Sequence, residues 1–326
     1  MREIKKLMQD KAAELLTKGT VDRVLAWRSG EFFYDNAPAF FAAAEECQEI
    51  VYDEFCPANL CKYLIQTSRK GLKTAVFLKP CDTYGVNQLL KDNRIQRELV
   101  YAVGTPCSGM LDIKKIKAAG AKAIVKVETE VDKVVVTTAL GELTLNKADV
   151  LLDKCIMCKG NGYKIADEEL GERLPTPEFT GDKFAGVKAI EAMSDKERFA
   201  FWQQELSKCI RCNACRDICP ACTCEQCIFD HPQSPVAGKA YADPVEEQLF
   251  HIIRAYHVAG RCVGCGECGR VCPQGVKLGL LNMKFMKDIN TFFGPYQAGA
   301  DATTPAPQVD YKLNDSEVNV AVKGGK

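Results

Sequence analysis

The sequence predicts an α/β (α+β) domain with a mixed sheet, followed by an α-helical domain that contains two cysteine blocks. Three observations support this fold class. A strand–helix–strand pattern runs from Thr74 to Gly104, which is typical of a parallel sheet. Three β-rich runs between Ala121 and Leu145 suit an antiparallel extension of that sheet. The segment between the two cysteine blocks has the apolar periodicity of a helix.

Length and charge place the chain among ordinary globular proteins. Its 326 residues are enough for two domains, and 47% of them are hydrophobic. We expect one domain over residues 1–190, a second over 191–296, and an extended polar tail over 297–326. Lysine plus arginine and aspartate plus glutamate number 43 each, so net charge favours neither nucleic acid nor an anionic membrane as a partner. We expect no membrane span and a cytoplasmic location.

The strand–helix–strand pattern brings two cysteines to one edge of the predicted sheet. TAVFLKP (74–80) is a β-rich run, Asp82 is a good N-cap for the helix that follows, and LVYAVG (99–104) is the next strand. Parallel sheets bind their ligands beyond the carboxyl ends of the strands. Each of these two ends is followed by a cysteine, Cys81 in LKPCD and Cys107 in VGTPC.

Another pair of cysteines, Cys155 and Cys158, follows the end of a further predicted strand. A single C-x-x-C pair also occurs in zinc half-sites and in redox-active thiol pairs. Because all four cysteines follow strand ends, we expect Cys107, Cys155 and Cys158 to converge on one [4Fe-4S] cluster, with Cys81 as a candidate fourth ligand.

Two cysteine blocks later in the chain give the strongest indication of a metal site in this sequence. Each has the spacing C-x-x-C-x-x-C-x-x-x-C-P, in which three cysteines bind one [4Fe-4S] cluster and the fourth binds the neighbouring cluster. The first block, CIRCNACRDICP, contains Cys209, Cys212, Cys215 and Cys219, and the second, CVGCGECGRVCP, contains Cys262, Cys265, Cys268 and Cys272. The predicted pairing is therefore crossed, so that Cys272 completes the first set and Cys219 completes the second.

Zinc and disulfides explain these blocks less well. A zinc site would use two C-x-x-C pairs and would leave the third and fourth cysteine of each block, with its proline, without a role. Disulfides need an oxidising compartment. Eighteen cysteines in a chain of this kind indicate metal clusters in a reducing cytoplasm, as in anaerobic metabolism.

Several other residues between and beside the blocks keep two interpretations. Three further cysteines follow the first block, Cys222, Cys224 and Cys227. They are either structural thiols or an alternative source of a ligand for the third cluster, the one predicted at Cys107, Cys155 and Cys158. Apolar residues at helical spacing predict a helix between the blocks; they are Val245, Leu249, Ile252, Ile253 and Tyr256. We interpret His251 and His257 on this helix as surface or core residues rather than metal ligands. The helical filling indicates an α-helical ferredoxin domain.

Several motifs together resemble one protein family. CPANLCKYL, LKPCD, VGTPC and KCIMC, followed by the two blocks, are similar to the beta subunits of coenzyme F420-reducing hydrogenases and F420-dependent formate dehydrogenases. The resemblance implies a flavin-binding domain that carries FAD and one [4Fe-4S] cluster, followed by a two-cluster ferredoxin domain. The residues that it assigns to the FAD cleft are Asn59, Lys79, Asp82, Gly104 and Thr105.

The same resemblance implies an iron-sulfur flavoprotein subunit. FAD would exchange a hydride with a soluble carrier, coenzyme F420 or NAD(P)H. The clusters would pass single electrons to a partner such as formate dehydrogenase, hydrogenase or a heterodisulfide reductase-like complex. The alternative is a flavin-free electron-transfer adaptor subunit of a bifurcating redox complex. The sequence identifies no catalytic acid or base.

Overall fold

The computed structural model describes residues 2–177, 179–233 and 244–309. Within these ranges, no helix is both long enough and apolar enough to cross a membrane. The chain folds as two compact units and passes between them more than once.

The first unit contains residues 1–83 and 95–180, and the second contains residues 84–94 and 181–326. A stretch of eleven residues from the early part of the chain, 84–94, therefore belongs to the second unit. The three domain limits that we expect from the sequence stay a prediction.

A mixed sheet organises the first unit. The strands are β1 (Arg23–Ser29), β2 (Asn36–Phe41), β3 (Thr74–Leu78), β4 (Val100–Gly104), β5 (Ile124–Thr129), β6 (Lys133–Thr138), β7 (Gly141–Asn146) and β8 (Glu168–Glu169). Among the described residues, one sheet has the order β2-β1-β3-β4-β8. β1 is antiparallel to β2, whereas β1, β3, β4 and β8 pair in parallel. The predicted mixed sheet is confirmed, and β3 is buried over its whole length, as its apolar run requires.

The three β-rich runs form a sheet of their own. β5, β6 and β7 pair antiparallel in the order β5-β6-β7. Our expectation that they extend the main sheet is therefore wrong, although their mutual pairing is correct. Val134 and Val136 of β6 are buried, and they pack in a small core with Leu111, Ile116 and other apolar residues. Alternation predicts strands, but it does not say which sheet they join.

Helices occupy the rest of both units. They are α1 (Arg2–Thr17), α2 (Leu64–Arg69), α3 (Thr83–Lys91), α4 (Ile113–Ala118), α5 (Lys147–Val150), α6 (Asp153–Ile156), α7 (Ala185–Glu191), α8 (Asp195–Leu206), α9 (Ala214–Asp217), α10 (Pro244–His257), α11 (Glu267–Arg270) and α12 (Leu278–Phe292). In the described part of the second unit the regular elements are helices and turns, as predicted. α8 begins with a capping box between Ser194 and Glu197 and leads directly to Cys209.

The beginning of the predicted tail lies on its own unit. The amide of Gln297 donates to the carbonyl oxygen of Val263 at 3.3 Å, and the carbonyl oxygen of Gly299 accepts from the amide of Asn87 at 3.2 Å. Ala298 is buried in a cluster with Tyr84 and Val263. The tail from residue 310 onward lies outside the described residues.

Helix α10 has its polar side inward. Its exposed side chains include Val245, Leu249, Ile252 and Tyr256. Its buried side chains include Glu247, Phe250, His251, Arg254 and Ala255. An apolar stripe usually faces the core of a globular protein. Here the helix is present where the periodicity predicts it, yet most of the stripe lies on the outer surface of the described unit, and three ionisable groups lie within.

Candidate iron-sulfur centres

The two cysteine blocks fold into matching loops. In each block, the second and fourth residues after the first cysteine have a left-handed backbone. In the first block these are Arg211, with φ 54°, and Asn213, with φ 61°; in the second block they are Gly264, with φ 66°, and Gly266, with φ 70°. Glycine adopts this conformation freely, whereas an arginine loses on the order of 1 kcal/mol. The repeated geometry despite that cost indicates a backbone shape that both blocks need.

A pocket in the second unit is lined by cysteines from both blocks. Cys209, Cys212 and Cys215 reach it from the first block, and Cys272 reaches it from the end of the second. The pocket encloses about 340 Å³, including its opening to solvent, and His251 of α10 lies in its wall. These four cysteines are the crossed set that the spacing predicts. A cage of four thiols from two loops has the donor chemistry of a [4Fe-4S] site.

Cys219 lies with the second block instead of its own. It shares a small apolar cluster with Cys262 and Val258. Burial raises the pKa of Cys265, and it raises the pKa of Cys268 to about 12. The charge of Cys219 acts in the same direction on both thiols. A hydrogen bond from Cys222 lowers the pKa of Cys219 itself, against the effect of burial. This hydrogen bond favours the thiolate form, which is the form that binds iron.

The first unit collects a third group of cysteines. Cys81 lies in the turn that directly follows β3, and Cys107 lies three residues after the end of β4. Cys155 is in α6, and its Sγ accepts from the backbone N–H of Met110 at 3.3 Å, which ties it to the loop that carries Cys107. Cys158 follows two residues after α6. The strand ends and α6 thus bring the predicted residues into one neighbourhood.

Electrostatic interactions link these four thiols in sequence. Burial raises the pKa of Cys81, and the charge of Cys107 adds to this rise. Burial and then the charge of Cys155 raise the pKa of Cys107 to about 12. Burial also raises the pKa of Cys155, and the charge of Cys158 acts in the same direction. Buried thiols that resist ionisation side by side can release their protons to a bound metal cluster, whose positive iron compensates the thiolates.

The residues expected around FAD lie in the first unit and are buried. The ammonium group of Lys79 donates to the carbonyl oxygens of Cys56 at 3.1 Å and Ala58 at 2.9 Å, and it lies 2.9 Å from Oδ2 of Asp82. The side-chain oxygen of Asn59 accepts a hydrogen bond from the backbone N–H of Cys61. Thr105 is the first residue after β4, and its backbone N–H donates to the carbonyl oxygen of Leu78. Lys79 and Asp82 are therefore paired with each other.

Two buried polar atoms beside these residues lack a hydrogen-bond partner within the described ranges. They are the hydroxyl oxygen of Tyr163 and the indole nitrogen Nε1 of Trp27. A side chain at Gly104 would meet the Tyr163 ring at 3.0 Å, so the absence of a Cβ allows this close approach. The Trp27 ring lies 4.2 Å from the ammonium group of Lys79. Unsatisfied donors at this depth fit a polar ligand better than a closed apolar core.

Sequence reasoning missed the inner face of α10. The ligating atoms of Cys209, Glu247 and His251 lie within 4.8 Å of one another. Burial lowers the pKa of His251 to about 3, and neither ring nitrogen has a hydrogen-bond partner among the described residues. The signal was present in the sequence, because Glu247, His251 and Arg254 are spaced by four and three residues and so share one helix face. The apolar stripe on the same helix obscured it.

A mixed α/β unit combined with a helical unit that presents crossed cysteine sets defines an iron-sulfur oxidoreductase subunit. Residues 71–224 match the model of the C-terminal part of the coenzyme F420 hydrogenase/dehydrogenase beta subunit, and residues 205–276 match that of a 4Fe-4S dicluster domain. Over residues 71–224 the chain is therefore similar to the coenzyme F420 hydrogenase/dehydrogenase beta subunit family, as its motifs predict.

Two known relatives and one solved structure are similar to this chain. The chain is 25% identical to the F420-dependent formate dehydrogenase subunit beta of Methanocaldococcus jannaschii, over 89% of its own length and 90% of the relative's. It is 24% identical to the F420-dependent formate dehydrogenase 1 subunit beta of Methanococcus maripaludis, over 75% and 78% respectively. A chain of the F420-reducing [NiFe] hydrogenase complex from Methanosarcina barkeri matches with a TM-score of 0.41 and 19% identity, over 54% of this chain and 69% of that one.

Proposed function

We propose that this chain is the electron-transfer subunit of an F420-dependent oxidoreductase and that it binds FAD and three [4Fe-4S] clusters. It exchanges a hydride with a soluble carrier, coenzyme F420 in the first place, and passes electrons one at a time to a catalytic partner. The names of the two relatives support F420 as the carrier and a formate dehydrogenase as the partner. When bound, FAD supplies the conversion between a two-electron hydride and single electrons.

The observation that carries the proposal is that expected flavin contacts and expected cluster ligands alternate along the chain. Cys81 stands between Lys79 and Asp82, and Cys107 follows two residues after Thr105. A flavin and a cluster bound by such neighbours would be adjacent, as electron transfer between them requires. The hydroxyl of Tyr163 and the indole nitrogen of Trp27, which have no hydrogen-bond partner in the described part of the chain, add polar atoms that such a ligand would satisfy.

In this proposal, the side chains and backbone of the protein bind the clusters and shield them from solvent. In the proposal, Cys107, Cys155 and Cys158, with Cys81, hold the cluster of the first unit, and the ammonium groups of Lys79 and Lys154 favour the thiolate forms there. The two crossed sets hold the clusters of the second unit, where backbone N–H groups of Arg211 and Val276 donate to the sulfur atoms of Cys209 and Cys272 at 3.4 Å.

Cofactor content tests the proposal against its alternative, a flavin-free adaptor. The alternative has one observation in its favour, since Lys79 and Asp82 neutralise each other and need no ligand. Protein purified without oxygen should contain about twelve iron atoms, as much acid-labile sulfide and one FAD. About eight iron atoms without flavin would support the adaptor instead. Protein that folds without iron would exclude both.

The carrier is tested by mixing the flavin-loaded protein with reduced F420, NADH and NADPH in separate anaerobic stopped-flow experiments. We expect fast bleaching of the flavin absorbance with reduced F420. Fast bleaching with NADH or NADPH and none with reduced F420 would leave the electron-transfer role standing and reassign the carrier.

A further inference from the structure

The side chain of Arg254 carries a buried charge in the second unit. It extends from the inner face of α10 and is 4% exposed. Its Nη2 donates to the carbonyl oxygen of Cys215 at 2.8 Å. Its Nε has no hydrogen-bond partner, and no carboxylate pairs with it in the part of the chain that the structure describes.

A buried guanidinium without an anionic partner is costly. The penalty for removing an ion from water is several kcal/mol, and it is recovered only through close opposite charge and satisfied hydrogen bonds. One carbonyl oxygen is too little compensation for a full positive charge. Arg211, the other buried arginine near the pocket, has Glu247 at 3.7 Å, and Arg216 pairs with Asp217 and Asp230. Arg254 differs from both because no carboxylate pairs with it among the described residues.

The groups beside Arg254 that can become anions are cysteines of both predicted cluster sets. Cys215 of the first set lies against Arg254, because its carbonyl oxygen accepts from Nη2. Cys215 in turn packs in one buried cluster with Cys268 of the second set. Charge interactions of Arg254 with both cysteines agree with this placement. A [4Fe-4S] cluster with four thiolate ligands has a net negative charge, which increases when the cluster accepts an electron. Arg254 thus lies where two such charges would meet.

We propose that Arg254 is a charge partner shared by both clusters of the second unit and that it raises the reduction potential of each. The proposal rests on the proposed cluster content. A fixed positive charge stabilises the reduced, more negative form of a cluster more than the oxidised form, and a buried site screens this effect little. One residue would in this way keep two neighbouring clusters near a common potential. Arg254 would act through its charge on the two clusters and would not contact a substrate.

Three variants separate charge from packing. Arg254→Gln removes the charge and keeps a donor for the carbonyl of Cys215. Arg254→Lys keeps the charge and changes the shape. Arg198→Gln is the matched control, since Arg198 is in the same unit, is half-exposed and pairs with Asp195 on the helix surface. Iron and acid-labile sulfide are measured first, and EPR-monitored redox titration under anaerobic conditions then gives both reduction potentials.

We expect Arg254→Gln to lower both potentials, each by at least about tenfold in the one-electron equilibrium constant, which corresponds to about 59 mV. Arg254→Lys and Arg198→Gln should change each constant by less than about threefold. Loss of clusters in Arg254→Gln with retention in Arg254→Lys would also support a need for the charge.

Other outcomes would overturn the inference. They are unchanged potentials in Arg254→Gln, a shift of only one cluster, equal shifts in the Gln and Lys variants, or equal loss of clusters in both. A wild-type protein without iron would instead refute the proposed function, so the two failures are distinguishable.

Discussion

The ammonium nitrogen of Lys79 lies 2.9 Å from Oδ2 of Asp82, and each side chain is only 1% exposed. The pair closes the turn that follows β3, and Cys81 is held between its two members. Lys79 also reaches the carbonyl oxygens of Cys56 and Ala58, so its charge is surrounded by oxygen atoms. The turn that carries a predicted cluster ligand is thereby fixed by a buried ion pair.

Breaking this ion pair should destabilise the first unit strongly. Lys79→Met leaves the Asp82 carboxylate buried without its partner, and we expect a loss of about 3–5 kcal/mol in the free energy of unfolding. Lys126→Met, which removes an exposed lysine beside Glu128, should cost less than about 1 kcal/mol. Both are measured by anaerobic denaturant titration.

The double variant Lys79→Met with Asp82→Leu provides the internal check, since it removes both charges and should recover part of the loss. A single variant as stable as wild type would mean that the pair contributes no net stability.

The crossed pairing of the two blocks predicts a specific pattern of iron loss. Cys209→Ala and Cys272→Ala should each remove the same cluster, about four iron atoms, so the double variant should lose no more than either single one. Cys268→Ala combined with Cys272→Ala should remove both clusters, about eight iron atoms. Iron content and the EPR signals of the reduced protein measure this.

Cys47→Ala is the control for these cysteine variants, because the thiol of Cys47 is buried and donates to the carbonyl oxygen of Ala43 at 3.6 Å. It should keep all of its iron. If the Cys209/Cys272 pair removed eight iron atoms and the Cys268/Cys272 pair only four, the blocks would each hold their own cluster.

The third centre is tested in the first unit alone. Cys107→Ala should lower the iron content by about four atoms and leave the EPR signals of the second unit unchanged. Cys61→Ala is the matched variant, since the Cys61 thiol is buried in the same unit and donates to the carbonyl oxygen of Asp82 at 2.9 Å. It should retain the iron. Equal iron in Cys107→Ala and wild type would exclude Cys107 as a ligand.

Asp92 should stabilise the second unit through Arg261. The guanidinium of Arg261 donates to the two carboxylate oxygens of Asp92, with Nη2 to Oδ2 at 2.6 Å. Asp92→Ala leaves this guanidinium partly buried and unpaired, and we expect a loss of about 1.5–3 kcal/mol in unfolding free energy. Asp195→Ala, at an exposed ion pair, should cost about 1 kcal/mol or less. Indistinguishable losses would contradict a special role of Asp92.

Local features of this protein could be predicted from its sequence, and long-range ones could not. The strand–helix–strand run around Cys81 and the helix at 244–257 were predictable because residue spacing defines them directly. The matching backbone at Arg211 and Gly264 could have been found by aligning the two blocks, since glycine marks the left-handed positions in only one of them.

Three features depend on packing between distant segments. β5 begins a separate sheet because of the partners it finds, which its alternation does not encode. The inward side chain of Arg254 donates to the carbonyl oxygen of Cys215, which is distant in sequence, and a periodicity cannot report that an inward face is polar. Likewise, nothing local in residues 84–94 assigns them to the second unit.

Because residues 84–94 belong to the second unit, that unit cannot be expressed as one continuous C-terminal fragment without losing part of its structure. The backbone passes between the units after residues 83, 94 and 180, so a fragment that starts at residue 181 omits the segment that supplies Asp92 to Arg261 and the amide of Asn87 to Gly299. Such a fragment would fold without the hydrogen-bond partners of Arg261 and Gly299. Engineers who wish to transplant this electron conduit would have to graft residues 84–94 back, or carry the whole polypeptide.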